Sequence, residues 1–197
     1  MKSILISIRP EWVAKILNGE KILEIRKSKP QCELPIDVYI YCTKEQGLIY
    51  EDTHINGEYQ DFRYYCVPKS VEEQSEYKGS GKVVARFCLK KVEKFEYETC
   101  SRDISGYWLE NGEPLNLKPS CLTYEEMFNY IKSGVGYAWH IDNLEIFDNP
   151  RELGEFEYLK KFQYEENMHP CPRNRYETWY EKRPLTKAPN SWCYIER

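Results

Sequence analysis

The chain has 197 residues, with 28 Lys plus Arg against 32 Asp plus Glu, a formal charge of −4 and a pI near 5.6. That balance excludes a globally basic nucleic-acid binder. One domain, or one domain with an extension, fits this length, and such a chain buries roughly 70% of the surface its unfolded form exposes. With 17 Tyr, 7 Phe and 5 Trp it is too rich in large rings for a disordered segment or a charged tail.

Residues 3–8 are rich in β-branched side chains and read as a first strand. Pro10 suits the first turn of a helix over about 10–18, with Trp12, Val13, Ile16 and Leu17 on one apolar face and Asn18-Gly19 as its stop. This places Trp12 in the core. Ile22-Leu23-Glu24-Ile25-Arg26 alternates, so Leu23 and Ile25 face one side of a strand and Glu24 and Arg26 the other. Residues 36–42 form a further strand. Residues 43–80 are polar, Tyr-rich and without a sustained period, and read as an insertion with one short helix near 69–76. Val83 to Val92 is the clearest strand and continues through Phe95.

Residues 101–120 read as a long connection. Thr123 and Glu126 then make a capping box, flanked by Leu122 and Met127 as a hydrophobic staple, for a helix that runs to about Lys132. Tyr137 to Phe147 returns to a strand pattern, Asn149-Pro150 opens a short helix, and the last 30 residues carry four prolines among aromatics. The order of elements predicts an α+β fold, a mixed β-barrel with flanking helices, rather than a doubly wound parallel sheet. The barrel domain is expected over 1–155 and a C-terminal extension packed on it over 156–197. No Gly-rich phosphate loop of standard spacing occurs.

The charge is unevenly spread. Residues 1–30 carry seven basic and three acidic side chains, residues 160–197 eight and five, so the centre is strongly acidic. If the two ends meet, they form one positive patch on an acidic body; ordinary surface variation is the plainer alternative. The apolar run at 4–8 is too short for a secretory signal and no stretch approaches a membrane span, which points to a cytoplasmic protein with reduced thiols. Its eight cysteines include no CxxC, and His169-Pro170-Cys171 is not a usual zinc half-site, so neither a metal nor a cofactor is expected. Cys32, Cys42 and Cys88 read as small buried hydrophobes.

The stretch from Ser7 to Lys27, with Gly19, Lys21, Glu24 and Arg26 in a G-x-K-x-x-E-x-R pattern after a helix, resembles the ASCH domain family of the PUA-like superfamily. Two more stretches, Gly136 to Leu144 and Ala188 to Tyr194, are similar to those of phage and prophage relatives in that family. The resemblance covers most of the chain apart from 43–80. It implies a PUA-like barrel and binding of RNA, a nucleotide or a modified nucleobase. Physically, the Arg fork can grip a phosphate or a base edge while the Glu orients it or accepts a donor. From spacing alone, an exposed salt bridge worth under about 1 kcal/mol explains the same residues.

The expected ligand contacts are Arg9, Lys21, Glu24, Arg26, Trp139, His140, Ser191, Trp192 and Tyr194, with the indoles and Tyr194 as stacking platforms in a basic cleft. Core packing is the alternative for Trp139, and a structural role the alternative for His140. The competing class is a hydrolase for an acylated cytidine-type base or for RNA, with Lys21 and Glu24 catalytic. The family's amidohydrolases imply a Thr hydroxyl where this chain has Glu24, so the nucleophile is missing. A protein partner for the basic patch is a third reading.

Overall fold

The computed structural model describes residues 2–55, 58–99, 105–132, 134–166 and 175–196, with side chains in those ranges except at 52–55, 58–61, 105, 163–166 and 175–178. In chain order the elements begin with β1 (Lys2–Ile8), α1 (Pro10–Leu17), β2 (Leu23–Arg26) and β3 (Ile36–Cys42). The 43–80 segment contains β4 (Gly47–Ile55), β5 (Glu58–Val67) and α2 (Lys69–Glu72). Next come β6 (Val83–Leu89), β7 (Val92–Thr99), β8 (Ser105–Leu109), α3 (Tyr124–Ile131), β9 (Val135–His140) and β10 (Asp142–Arg151). The chain closes with β11 (Glu157–Glu166), β12 (Arg175–Pro184) and β13 (Trp192–Glu196).

Seven strands form one sheet in the order β10-β6-β3-β1-β13-β11-β12, four form a second in the order β2-β9-β7-β8, and β4 pairs with β5. The α+β class holds, but the sheets are not closed into a true barrel. The physical reason lies at two places where the chain changes sheet. One expected strand over 83–95 is β6 in the large sheet, then, after Lys90 and Lys91, β7 in the small one. The expected strand over 137–147 breaks likewise at Ile141, with Asn143 at φ 49° turning the chain into β10. The crossings meet where His140 N–H donates to the Lys91 carbonyl. The result is two sheets joined at a shared corner.

Alternation along the strands sets the cores. Ile4, Ile6, Ile8, Val38, Ile40 and Cys42 face α1, while Leu5, Tyr39 and Tyr41 pack with Phe147, Phe156 and Ile195 on the other face. Leu23 and Ile25 of β2 pack with Phe95, Met127 and Ile131 beneath α3. The first and last strands meet, since β13 lies antiparallel beside β1 with Ile4 opposite Tyr194, but there Lys2 stands opposite Glu196.

Three local expectations are corrected. The 43–80 segment is a β-hairpin with α2, tied to the end of α1 where the Asn18 amide exchanges hydrogen bonds of 3.0 and 2.9 Å with the Tyr64 backbone. Asn149-Pro150 opens no helix: β10 runs through it as an edge strand, where a missing N–H costs no ladder bond. Cys32 and Cys88 are only partly buried; Cys42 is fully so. Cys100, Cys171 and His169 lie outside the described residues.

Candidate functional site

The site starts at the end of α1. Gly19 (φ +74°) ends the helix in a Schellman turn, with Gly19 N–H donating to Ile16 O and Glu20 N–H to Lys15 O. A left-handed residue is needed here, and glycine takes it without strain. The turn brings Lys21 back under the helix, where it is 2% exposed. Its ammonium donates to Leu23 O at 2.9 Å and Ser120 O at 2.7 Å and sits 3.2 Å from Glu24 Oε2. A lysine has three N–H donors, and here each has an acceptor.

Strand β2 carries Glu24 and Arg26 on one face, each 7% exposed. That face is therefore not the solvated side that alternation suggests. Arg26 Nε lies 2.9 Å from Glu24 Oε1, but off the hydrogen-bond direction. The rest of the guanidinium reaches two further segments: Nη2 donates to Ser7 O at 2.8 Å and Nη1 to Ser191 Oγ at 3.3 Å, and its charge is felt at the Tyr130 hydroxyl. Ser7 completes the tie, donating from its N–H to Ser191 O and from its Oγ to Pro189 O. Arg26 thus fastens β1 and the 189–191 segment together, with Tyr130 of α3 beside it.

Above this array opens a cleft of about 890 Å³, a size typical of small-molecule sites. Lys21, Glu24 and Arg26 form its floor, with Arg9, Glu11 and Trp12 from the start of α1, Asn129 and Tyr130 from α3, and Asn190 and Ser191 on the walls. Glu45 and Glu126 also line it, so three cations meet four carboxylates and the lining is not basic. Glu126 is held by the Thr123 capping box, whose hydrogen bonds lower its pKa. Hydrogen bonding from Thr43 likewise lowers Glu45. Burial raises the Tyr130 phenol, opposed by Arg26, so it stays a neutral hydroxyl near neutral pH. Lys15 lies 4.7 Å and Lys21 5.5 Å from the Trp12 ring centroid, and Lys27 5.0 Å from that of Tyr130.

Of the residues singled out from sequence, Arg9, Lys21, Glu24, Arg26 and Ser191 converge on this cleft, and Trp139, His140, Trp192 and Tyr194 do not line it. Trp139 is 0% exposed in the α1-side core and packs edge-on against Trp192 with centroids 5.7 Å apart. Trp192 donates to Ser28 Oγ, and Tyr194 accepts from Gln31 N–H and carries Lys2 over its ring. His140 stands opposite Leu23, on the other face of the sheet from Glu24, and pairs with Glu93 at 2.5 Å. Trp12, expected in the core, packs against it only in part and lines the cleft. Asn129 and Tyr130 went unmarked because they lie on the polar side of an amphipathic helix; Asn190 lay inside the stretch 188–194 without a distinguishing signal.

Among the described residues no three His, Cys, Asp or Glu side chains gather as a metal site, and no helix is long and apolar enough to cross a membrane. Burial pushes the Cys42 thiol well up and that of Cys193 to about 11, the opposite of an activated nucleophile.

No family model and no curated protein matches the chain. Among solved structures it is similar to ASCH from Zymomonas mobilis, at 15% identity over 77% of this chain and 73% of that one, with a TM-score of 0.46. A tyrosine-to-phenylalanine mutant of the same protein gives 15% identity over 78% and 77%, with a TM-score of 0.47.

Proposed function

We propose that this chain is an ASCH-type binding protein that takes a nucleobase, as a nucleotide, a modified base or one residue of an RNA, into the cleft over Lys21, Glu24 and Arg26. The observation that carries the reading is the buried Lys–Glu–Arg floor under walls with two rings, two amides and one exposed guanidinium. Three buried ionic groups are a poor way to gain stability, since apolar residues of similar volume do as well or better. Their use is to hold a polar cleft in a fixed shape. A planar ligand with hydrogen-bonding edges suits such walls, and base–aromatic stacking contributes about 1–3 kcal/mol without net positive charge. The balanced lining disfavours a polyphosphate, and Lys27 and Lys29, exposed just beyond β2, are where a flanking phosphate would be met. A phage or prophage relationship rests on the stretches 136–144 and 188–194.

The hydrolase reading is less well supported. All three Lys21 donors are engaged with Leu23 O, Ser120 O and Glu24, so the ammonium has no group left to activate a nucleophile, and no hydroxyl stands at position 24. Calorimetric titration with the four ribonucleosides and with homopolymeric pentaribonucleotides tests the proposal. Binding by the wild type that is weakened at least tenfold in Arg9→Ala Trp12→Ala supports it; binding untouched by that double variant, or no binding at all, overturns it. Turnover of an N4-acylcytidine, abolished in Glu24→Gln, would replace it with the hydrolase.

A further inference from the structure

We infer that Asn129 and Asn190, not the buried Lys–Glu–Arg group, determine which base the cleft accepts. This rests on the base-binding reading above and assigns its specificity.

Besides the exposed Arg9 and Glu11 at the start of α1, the polar groups of the cleft include two contrasting sets. In the first, the polar atoms are bonded within the protein or buried out of a ligand's reach. Lys21 is saturated by two carbonyls and Glu24. Arg26 bonds Ser7 O and Ser191 Oγ, its Nε is buried without a partner, and Glu126 is held by its helix cap. A ligand gains little from groups whose bonds it would first have to break. In the second set are the Asn129 and Asn190 amides, which line the cleft, are exposed and have no hydrogen-bond partner among the described residues.

Their placement is not loose. Asn190 precedes Ser191, which Arg26 bonds, and Asn129 precedes Tyr130, whose hydroxyl feels the Arg26 charge. The guanidinium fixes the segment entering β13, while α3 on the other side is fixed by its capping box and by Met127 and Ile131 in the core. Reading groups held on supported elements discriminate better than groups on free loops. This division also gives the buried motif a role: it is a positioning device whose neighbours do the reading.

Amide chemistry says what would be read. Each carboxamide offers one acceptor beside one donor pair, matching a base edge that presents a donor next to an acceptor: an exocyclic amine and a ring nitrogen in adenine and cytosine, a ring N–H and a carbonyl in uracil and guanine. A carboxylate in the same place is acceptor-only and needs two adjacent donors, which among the common bases only the guanine N1–H and N2–H edge provides.

The test is the double variant Asn129→Asp Asn190→Asp, titrated calorimetrically with adenosine, cytidine, guanosine and uridine and with the corresponding homopolymeric pentaribonucleotides. Both positions are exposed, and far-UV circular dichroism with a thermal melt verifies that the variant folds. Nucleosides are uncharged, so the added negative charge does not bias their ratios. The expected result is a rise of about tenfold or more in the guanosine-to-adenosine and guanosine-to-cytidine affinity ratios, as one bidentate contact is exchanged for another. Ratios within twofold of wild type, with wild-type binding intact, overturn this inference and leave the base-binding reading standing. A wild type that binds none of these probes overturns both.

Discussion

Replacing Lys21 by methionine isolates what the buried array contributes to the fold. Methionine keeps most of the stem's volume against Trp12 and removes only the ammonium. Three contacts disappear: Leu23 O at 2.9 Å, Ser120 O at 2.7 Å and Glu24 Oε2 at 3.2 Å. Each buried carbonyl left without a donor costs about 1–3 kcal/mol, and breaking a buried ion pair from one side costs about 3–5 kcal/mol. The pair figure already includes groups left unpaired, so the two are not added, and because Glu24 keeps Arg26 at 2.9 Å the loss is placed at the middle of the pair range, about 4 kcal/mol. For a domain of this size that corresponds to a fall in Tm of about 12 °C. Thermal and urea unfolding followed by far-UV circular dichroism measures it. Lys21→Met Glu24→Leu should lose less than the sum of the two single changes, because removing both partners leaves no lone buried charge between them. An exposed salt bridge would contribute under about 1 kcal/mol, so a Lys21→Met loss of that size refutes the reasoning.

Three further outcomes follow from the packing. Glu72 clasps the 43–80 hairpin: burial alone would raise its carboxyl, but bonds from the Leu48 N–H, from Ser80 and from Lys69 outweigh it and hold the pKa low. Glu72→Gln should cost about 2 kcal/mol at pH 7. A depressed folded-state pKa means that this stabilisation is complete above the ordinary value of 4.5 and is lost as pH falls through the lowered one, so the wild-type advantage in urea midpoint should shrink at acid pH. Gly136→Ala would put a Cβ 2.1 Å from Phe95 Cζ, against a ring that is 0% exposed, and should cost about 3 kcal/mol, read as a lower urea midpoint. Thr123→Ala removes the cap of α3 and should cost about 1 kcal/mol in the same assay.

The first 26 residues were the most legible part of the chain, because three local signals agree there. Pro10 opens α1, Asn18-Gly19 closes it, and the alternation of Leu23, Glu24, Ile25 and Arg26 fixes which face of β2 each side chain takes. What alternation could not tell was that the Glu24 and Arg26 face is roofed over, since an outward polar face and a cleft floor share one pattern. The roof comes from residues about a hundred and more positions away, Ser120, Tyr130 and Ser191. The sheet changes after Leu89 and His140 were hidden for a related reason: a strand that passes from one sheet to another keeps its β-branched and aromatic character throughout, and only Asn143 marks the bend. The hairpin at 47–67 was hidden by composition. Its polar side chains and tyrosines show no period, although Leu48 is buried in the main core with Tyr64 packed against it. Trp139 shows the opposite case: an indole beside Glu24 in the ladder looked available and is sealed in the core.

Backbone amide chemical-shift mapping on the labelled protein, titrated with the ribonucleosides and pentaribonucleotides, tests the base-binding cleft most directly. The account predicts saturable shifts concentrated at Arg9, Glu11, Trp12, Asn129, Tyr130, Asn190 and Ser191, with Trp139 and His140 unaffected. Shifts centred on the β11–β12 hairpin or on the β4–β5 hairpin, or none at all, would contradict it.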